Sequence, residues 1–191
     1  MGRPRAFDDT TVIMRAMEAF WTHGYAETSP AILAEATGVA KGSLYNAFGS
    51  KRELFDRALD HYQSMITAQA EQLLAEPGTT RETIRAALRA VVDGDLASVP
   101  RRGCLVGNTT VELAGSDPEL ARRLRRMQDE STSWFTSRIE RGQVEGDVSR
   151  EVNAAALAAF FATTLAGLRV MAMTHDADTL YRVIDTAVAS L

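Results

Sequence analysis

Only two lysines occur in this 191-residue chain, Lys41 and Lys51, and between them lie Gly42, Ser43, Tyr45 and Asn46. These side chains share one chemistry, the recognition of a polyanion. An ammonium group reaches phosphate oxygens or base acceptors, and serine and tyrosine hydroxyls bond phosphate. An asparagine carboxamide matches the paired donor and acceptor of adenine, or else touches phosphate alone. Small residues let a helix backbone approach a groove closely. At the start of a helix, Lys51 and the free backbone N–H groups can hold a phosphate jointly. Arg3 and Arg5 add positive charge upstream as a candidate arm for DNA. The plain alternative is a solvated basic surface, with Tyr45 packing only.

The rest of the chain offers little other chemistry. His23, His61 and His175 stand isolated, and no Gly-rich phosphate loop, His-Glu-x-x-His or Gly-x-Ser-x-Gly string occurs. That argues against an enzyme, and no cofactor is expected. One cysteine, Cys104, excludes an intrachain disulfide and a zinc site of finger type. It lies beside Arg101 and Arg102 at an expected helix start, surroundings that activate a thiol, although a small packing residue would look the same. The formal net charge of -4 does not suggest a nucleic-acid binder as a whole, so any such patch must be local. The opening residues have no apolar stretch behind them, which suggests a cytoplasmic protein. Val152 to Leu168 carries no charge, but Arg169 ends the run short of the ~20 apolar residues a spanning helix needs. A buried helix or helix–helix interface is the better reading, with no membrane.

The elements that position these residues read as all-α. Sustained period-two alternation is absent, whereas Ile13, Met17, Phe20 and Trp21 recur at helical spacing. Gly24 ends that helix. Ser29-Pro30 opens the next, Gly38 terminates it, and a short helix spans Lys41 to Phe48 with Leu44, Tyr45 and Phe48 spaced to pack inward. Ser50 to Glu53 is a capping box starting a helix to about Ala75. After Pro77-Gly78, further helices are expected to about Ser98, over Cys104 to Leu113, from Pro118 to about Gln143, and over about 150–173 and 177–190. This makes about nine helices. The first three, with a glycine turn between the second and third, describe a helix-turn-helix.

The strings Phe20 to Tyr25, Thr28-Ser29, Ile32 to Val39, Lys41 to Phe48 and Ser50 to Phe55 resemble the DNA-binding domain of the TetR/AcrR family of transcriptional regulators. The resemblance covers about residues 7–56. It implies a helix-turn-helix domain over 1–50 and a helical regulatory and dimerisation domain over 51–191. It also implies a repressor that binds a palindromic double-stranded operator as a homodimer and is released by a small-molecule effector. DNA contacts are then expected from Arg3, Arg5, Thr28, Ser29, Lys41, Gly42, Ser43, Tyr45, Asn46 and Lys51. Pro30, Ala40 and Asn46 depart from the family pattern. Ala40 stands where a serine or threonine often caps the recognition helix, so that cap is missing or supplied otherwise.

The resemblance places dimerisation on the last two helices, where Ala155, Ala158, Ala159, Ala162 and Ala166 would allow close approach and Val183, Ala187 and Leu191 would extend the contact. An effector cavity would lie among the helices of 104–173. Its candidate liners are Met127, Trp134, Phe135, Phe160, Phe161, Thr164, Leu168 and Met171, with Asn108 as a polar contact. Methionine and aromatic residues suit an adaptable apolar pocket, but would equally fill a core. The stretch Arg102 to Thr109 is similar to one in relatives that sense electrophiles or oxidants through cysteine, which implies Cys104 as an alternative sensor.

Overall fold

A computed structural model describes residues 7–191. Arg3 and Arg5 lie outside the described residues. Nine helices occur among the described residues, and no strand: α1 (Asp9–Glu27), α2 (Pro30–Thr37), α3 (Lys41–Phe48), α4 (Lys51–Ala75), α5 (Thr80–Ala97), α6 (Leu105–Leu113), α7 (Pro118–Glu145), α8 (Ala154–Met171) and α9 (Ala177–Val188). The chain forms two compact units, Met1–Met65 and Ile66–Leu191, so the division falls inside α4.

In the first unit, aromatic rings meet within a core that is otherwise aliphatic, with Met17, Leu33, Leu44 and Leu59 buried. Phe20 is fully buried and meets Phe55 edge-on at 4.9 Å, and Trp21 meets Tyr62 at 5.0 Å. Leu54, Phe55, Ala58, Leu59 and Tyr62 of α4 are buried, which is why its first half belongs to this unit although a new helix starts at Lys51. Helix ends are closed by nearby side chains. Asp8 caps α1 by accepting from the Thr11 amide, and Ser29 caps α2 by accepting from the Ile32 amide at 3.2 Å. Gly38 ends α2 at φ 70°, a left-handed conformation that a Cβ would strain. The regular helix of α1 breaks at Gly24, whose φ is 77°.

The second unit is an apolar core crossed by charged side chains. Leu88, Ile139, Phe161, Leu168, Leu180 and Ile184 are among its fully buried members, and Phe135 stacks on Phe161 at 5.9 Å. At one end, Arg138 is buried (4% exposed); its guanidinium donates to Thr83 Oγ1 at 3.0 Å and to the Gly78 carbonyl at 2.8 Å, and lies 3.5 Å from Glu145. Asp147 accepts from the Thr80 amide at 2.6 Å and the Thr80 hydroxyl at 2.8 Å, closing the α5 N-terminus from the α7–α8 turn. These groups fit only because residue 142 is glycine. A Cβ there would collide with Thr80 Oγ1 and lie 2.5 Å from Asp147 Oδ1 and 2.8 Å from Val148 Cγ2. Along the surface, α5 is stitched to α9: Arg85 and Arg89 reach Asp185 at 3.1 and 3.3 Å, and the Tyr181 hydroxyl donates to Asp93.

Helix α8 is long and apolar enough to cross a membrane, with mean hydropathy 1.6 over its 18 residues. It packs instead against α7, α5 and α9, with Ala158, Phe161 and Leu168 buried.

Candidate nucleic-acid interface

Helix α3 is short, and its N-terminus has no side-chain cap because Ala40 has no acceptor. The first N–H groups of the helix therefore have no partner within it. Lys41, Gly42, Ser43 and Asn46 are all exposed around that end, and the space where a Cβ would stand on Gly42 is open. Leu44 anchors the opposite face at 1% exposure, with Val39 buried beside the turn and Tyr45 and Phe48 half-buried. The helix thus presents one polar, unobstructed edge and buries the other.

Lys51 is held in place. Its Nζ donates to the Ala26 carbonyl at 3.3 Å and sits 4.5 Å from the centroid of the Tyr25 ring. An ammonium group carries three donors, so it can still meet a phosphate while fixed by those two contacts. Beside it, Ser50 accepts from the Glu53 amide at 3.1 Å, the serine half of the expected capping box, while the Ser50 amide donates to the Phe48 carbonyl at 3.1 Å.

Two hydroxyls expected at the surface are differently employed. Thr28 is fully buried; its hydroxyl donates to the Gly24 carbonyl and lies 3.5 Å from the Ala19 carbonyl, sealing the broken end of α1. Packing, rather than an outward reach, accounts for a threonine there. Ser29 is half-buried and serves as the α2 cap.

The effector candidates do not converge on one site. Phe161 and Leu168 are packed into the core, where Phe135 stacks on Phe161, and Trp134 and Met171 pack against that core. Phe160 is 46% exposed and, with Thr164, lines an open surface groove toward Thr179, Val183 and Thr186 of α9. The one-residue step from Phe161 to Phe160 moves the ring out of the core to the rim, where the two rings still meet edge-on at 5.5 Å. Met127 is buried on α7. Asn108 donates from Nδ2 to the Arg102 carbonyl at 2.8 Å. Cys104 caps α6, its sulfur accepting from the Gly107 amide at 3.5 Å. The Arg101 guanidinium, expected beside the thiol, donates instead to the Ala172 and His175 carbonyls at 3.3 and 3.0 Å. Of the alanine face, Ala158 is buried and Ala162 half-buried, and Ala187 on α9 is also core, so Ala155, Ala159 and Ala166 remain exposed with Phe160 and Val170.

Known proteins share this arrangement. Residues 12–58 match the model for bacterial regulatory proteins of the tetR family, and residues 78–188 match the tetracyclin repressor-like C-terminal domain. The uncharacterized HTH-type transcriptional regulator YezE of Bacillus subtilis is 31% identical over the whole of both chains. The HTH-type transcriptional repressor ComR of Escherichia coli is 29% identical over 90% of this chain and 82% of its own. Among solved structures, a cysteine-substituted variant of the TetR family regulator CifR, complexed with 26-bp double-strand operator DNA, superposes with a TM-score of 0.90 at 35% identity, covering 99% of each chain. The fold and the exposed α3 edge are those of a helix-turn-helix transcriptional regulator. The chain belongs to the TetR family.

Proposed function

We propose that this chain is a transcriptional repressor, acting in the cytoplasm, that binds a palindromic operator as a homodimer and releases it when a small molecule occupies the second unit. In this account the first unit, which includes Lys51 and the first half of α4, is the reading head, and the second unit is the regulatory part. The observation that carries the reading is the α3 edge: uncapped N–H groups with Lys41, Ser43 and Asn46 exposed around them, and Lys51 fixed nearby through Tyr25 and Ala26. Asn46 is the candidate base reader, and the lysines and hydroxyls grip phosphate. The exposed apolar face of α8, with Phe160 46% and Val170 66% exposed beside the α9 groove, is the surface a second copy would cover. CifR, solved with operator DNA, and ComR, a repressor, support the same reading by likeness.

The test is titration of a selected operator at several salt concentrations. Lys41→Ala and Lys51→Ala should each weaken binding across sequences and lower the slope of log affinity against log salt by about 1. Unchanged affinity and slope in both variants would remove the assignment. In sedimentation, Phe160→Glu should shift the dimer to monomer and weaken operator binding with it.

A further inference from the structure

We propose that Arg169 is a positioning residue: its guanidinium latches the strap between α5 and α6, residues 98–104, so that the start of α6 follows the position of α8.

The strap is tied at three successive residues, at two of them by α8 and its C-terminal end and at the third by α6. Arg169, on α8, donates from Nε and Nη2 to the Asp95 carboxylate of α5 at 2.9 and 2.8 Å, and from Nη2 to the Gly103 carbonyl at 3.0 Å. Arg101, on the strap, reaches back to the Ala172 and His175 carbonyls where α8 ends. Asn108, on α6, donates to the Arg102 carbonyl. Cys104 follows directly and caps α6. The Arg169–Asp95 pair is nearly closed to solvent, with side chains 12% and 9% exposed. A buried pair of this kind is weak as a source of net stability and strong as a constraint on geometry, because a displaced charge is left without a partner. Its planar fork grips the carboxylate through two donors at once while Nη2 also reaches the carbonyl, a fixed geometry that a rotating ammonium does not reproduce. Sliding α8 therefore either strands Asp95 or moves the strap and the α6 cap together. The regulatory consequence rests on the repressor reading, in which α8 carries the dimer face; the latch itself does not.

The single cysteine of this chain makes the strap measurable with both units in place. Alkylation of Cys104 by iodoacetamide, well below the melting temperature, is compared in wild type, Arg169→Lys and Arg89→Met. Arg89 pairs with Asp185 on the α5–α9 surface and touches no part of the strap. Arg169→Lys should alkylate roughly tenfold faster than wild type, the scale of one lost charged hydrogen bond, while Arg89→Met matches wild type. Operator affinity should shift roughly fivefold in Arg169→Lys. Equal alkylation rates in Arg169→Lys and wild type overturn the latch. Faster alkylation with unchanged operator affinity overturns its positioning role and leaves a stitch. If Arg169→Lys does not fold, Asp95→Asn keeps the side-chain volume and should give the same faster alkylation. If wild type binds no operator, the repressor reading fails and the alkylation ratio alone decides the latch.

Discussion

In the first unit, the side-chain caps at helix N-termini stay within three residues, as from Asp8 to Thr11 and from Ser29 to Ile32, the longer reaches go from a side chain to a carbonyl at a helix C-terminus, as from Lys51 to Ala26, and rings meet within the core. In the second, the decisive polar contacts bridge distant stretches of chain: 55 residues separate Arg138 from Thr83, 67 separate Thr80 from Asp147, and 74 separate Arg169 from Asp95. Local closure lets a small unit complete itself while leaving one helix edge free for a partner. Long-range ionic junctions instead fix how packed helices lie against one another, which matters in a unit whose helices are expected to respond to a signal.

The sharpest way to break this contrast is at Arg138. Arg138→Met should cost about 1.5–3 kcal/mol, because the Thr83 hydroxyl and the Gly78 carbonyl lose charged hydrogen bonds in a closed site, and thermal melting should show the loss in the second unit. A destabilisation no larger than that of a surface arginine such as Arg141 would mean that the junction is not what holds α5 to α7. Next, Gly142→Ala should cost about 1–3 kcal/mol by overpacking against Thr80 and Val148, measured by denaturant midpoint. In the first unit the same experiment has the opposite sign. Ala40→Ser should stabilise by about 0.5–2 kcal/mol by capping α3, and should weaken operator binding if the free N–H groups contact phosphate.

The smallest effects are titrations at exposed helix ends. Asp8 is held below the ordinary carboxylate range by the Thr11 hydroxyl and then its amide. Glu82 is lowered by the Thr79 amide and hydroxyl, and Asp176 by the Thr179 amide and hydroxyl. Their folded-state values lie below the unfolded ones, so their stabilisation is present above the ordinary carboxylate range and fades as the pH falls through it. Tyr181 is raised by donating to Asp93, so its contribution is present below the ordinary tyrosine value and fades as the pH rises through the folded one. Melting temperature should decline in acid, and Tyr181→Phe should flatten only the alkaline limb.

The same contrast explains what could be read from the chain. Ser29-Pro30, Gly38 and Ser50 act where the residue types place them, because a cap is decided within one turn of helix. The apolar spacing in α1 likewise buries Met17 and Phe20. The missing cap at Ala40 was legible for the same reason. Thr28 was not: a hydroxyl beside a capping serine looks available, and only the break at Gly24 turns it inward. Arg138 and Asp147 are ordinary charges in a polar helix and a turn, with no local sign of the distant partners they meet. Arg169 carried the one usable signal, a lone charge at the end of an apolar run, which calls for a buried partner without saying which. Phe160 and Phe161 show the limit of spacing, since adjacent rings on one helix are divided between surface and core.

The placement of the two lysines has a consequence for reagent chemistry. Lys41 is exposed, whereas the Lys51 ammonium is committed to the Ala26 carbonyl and the Tyr25 ring. No other lysine side chain exists to consume an acylating reagent. Brief treatment with acetic anhydride should mark Lys41 ahead of Lys51, and bound operator should shield both. A modification that is scattered over the surface of most proteins would here become a footprint of one small face.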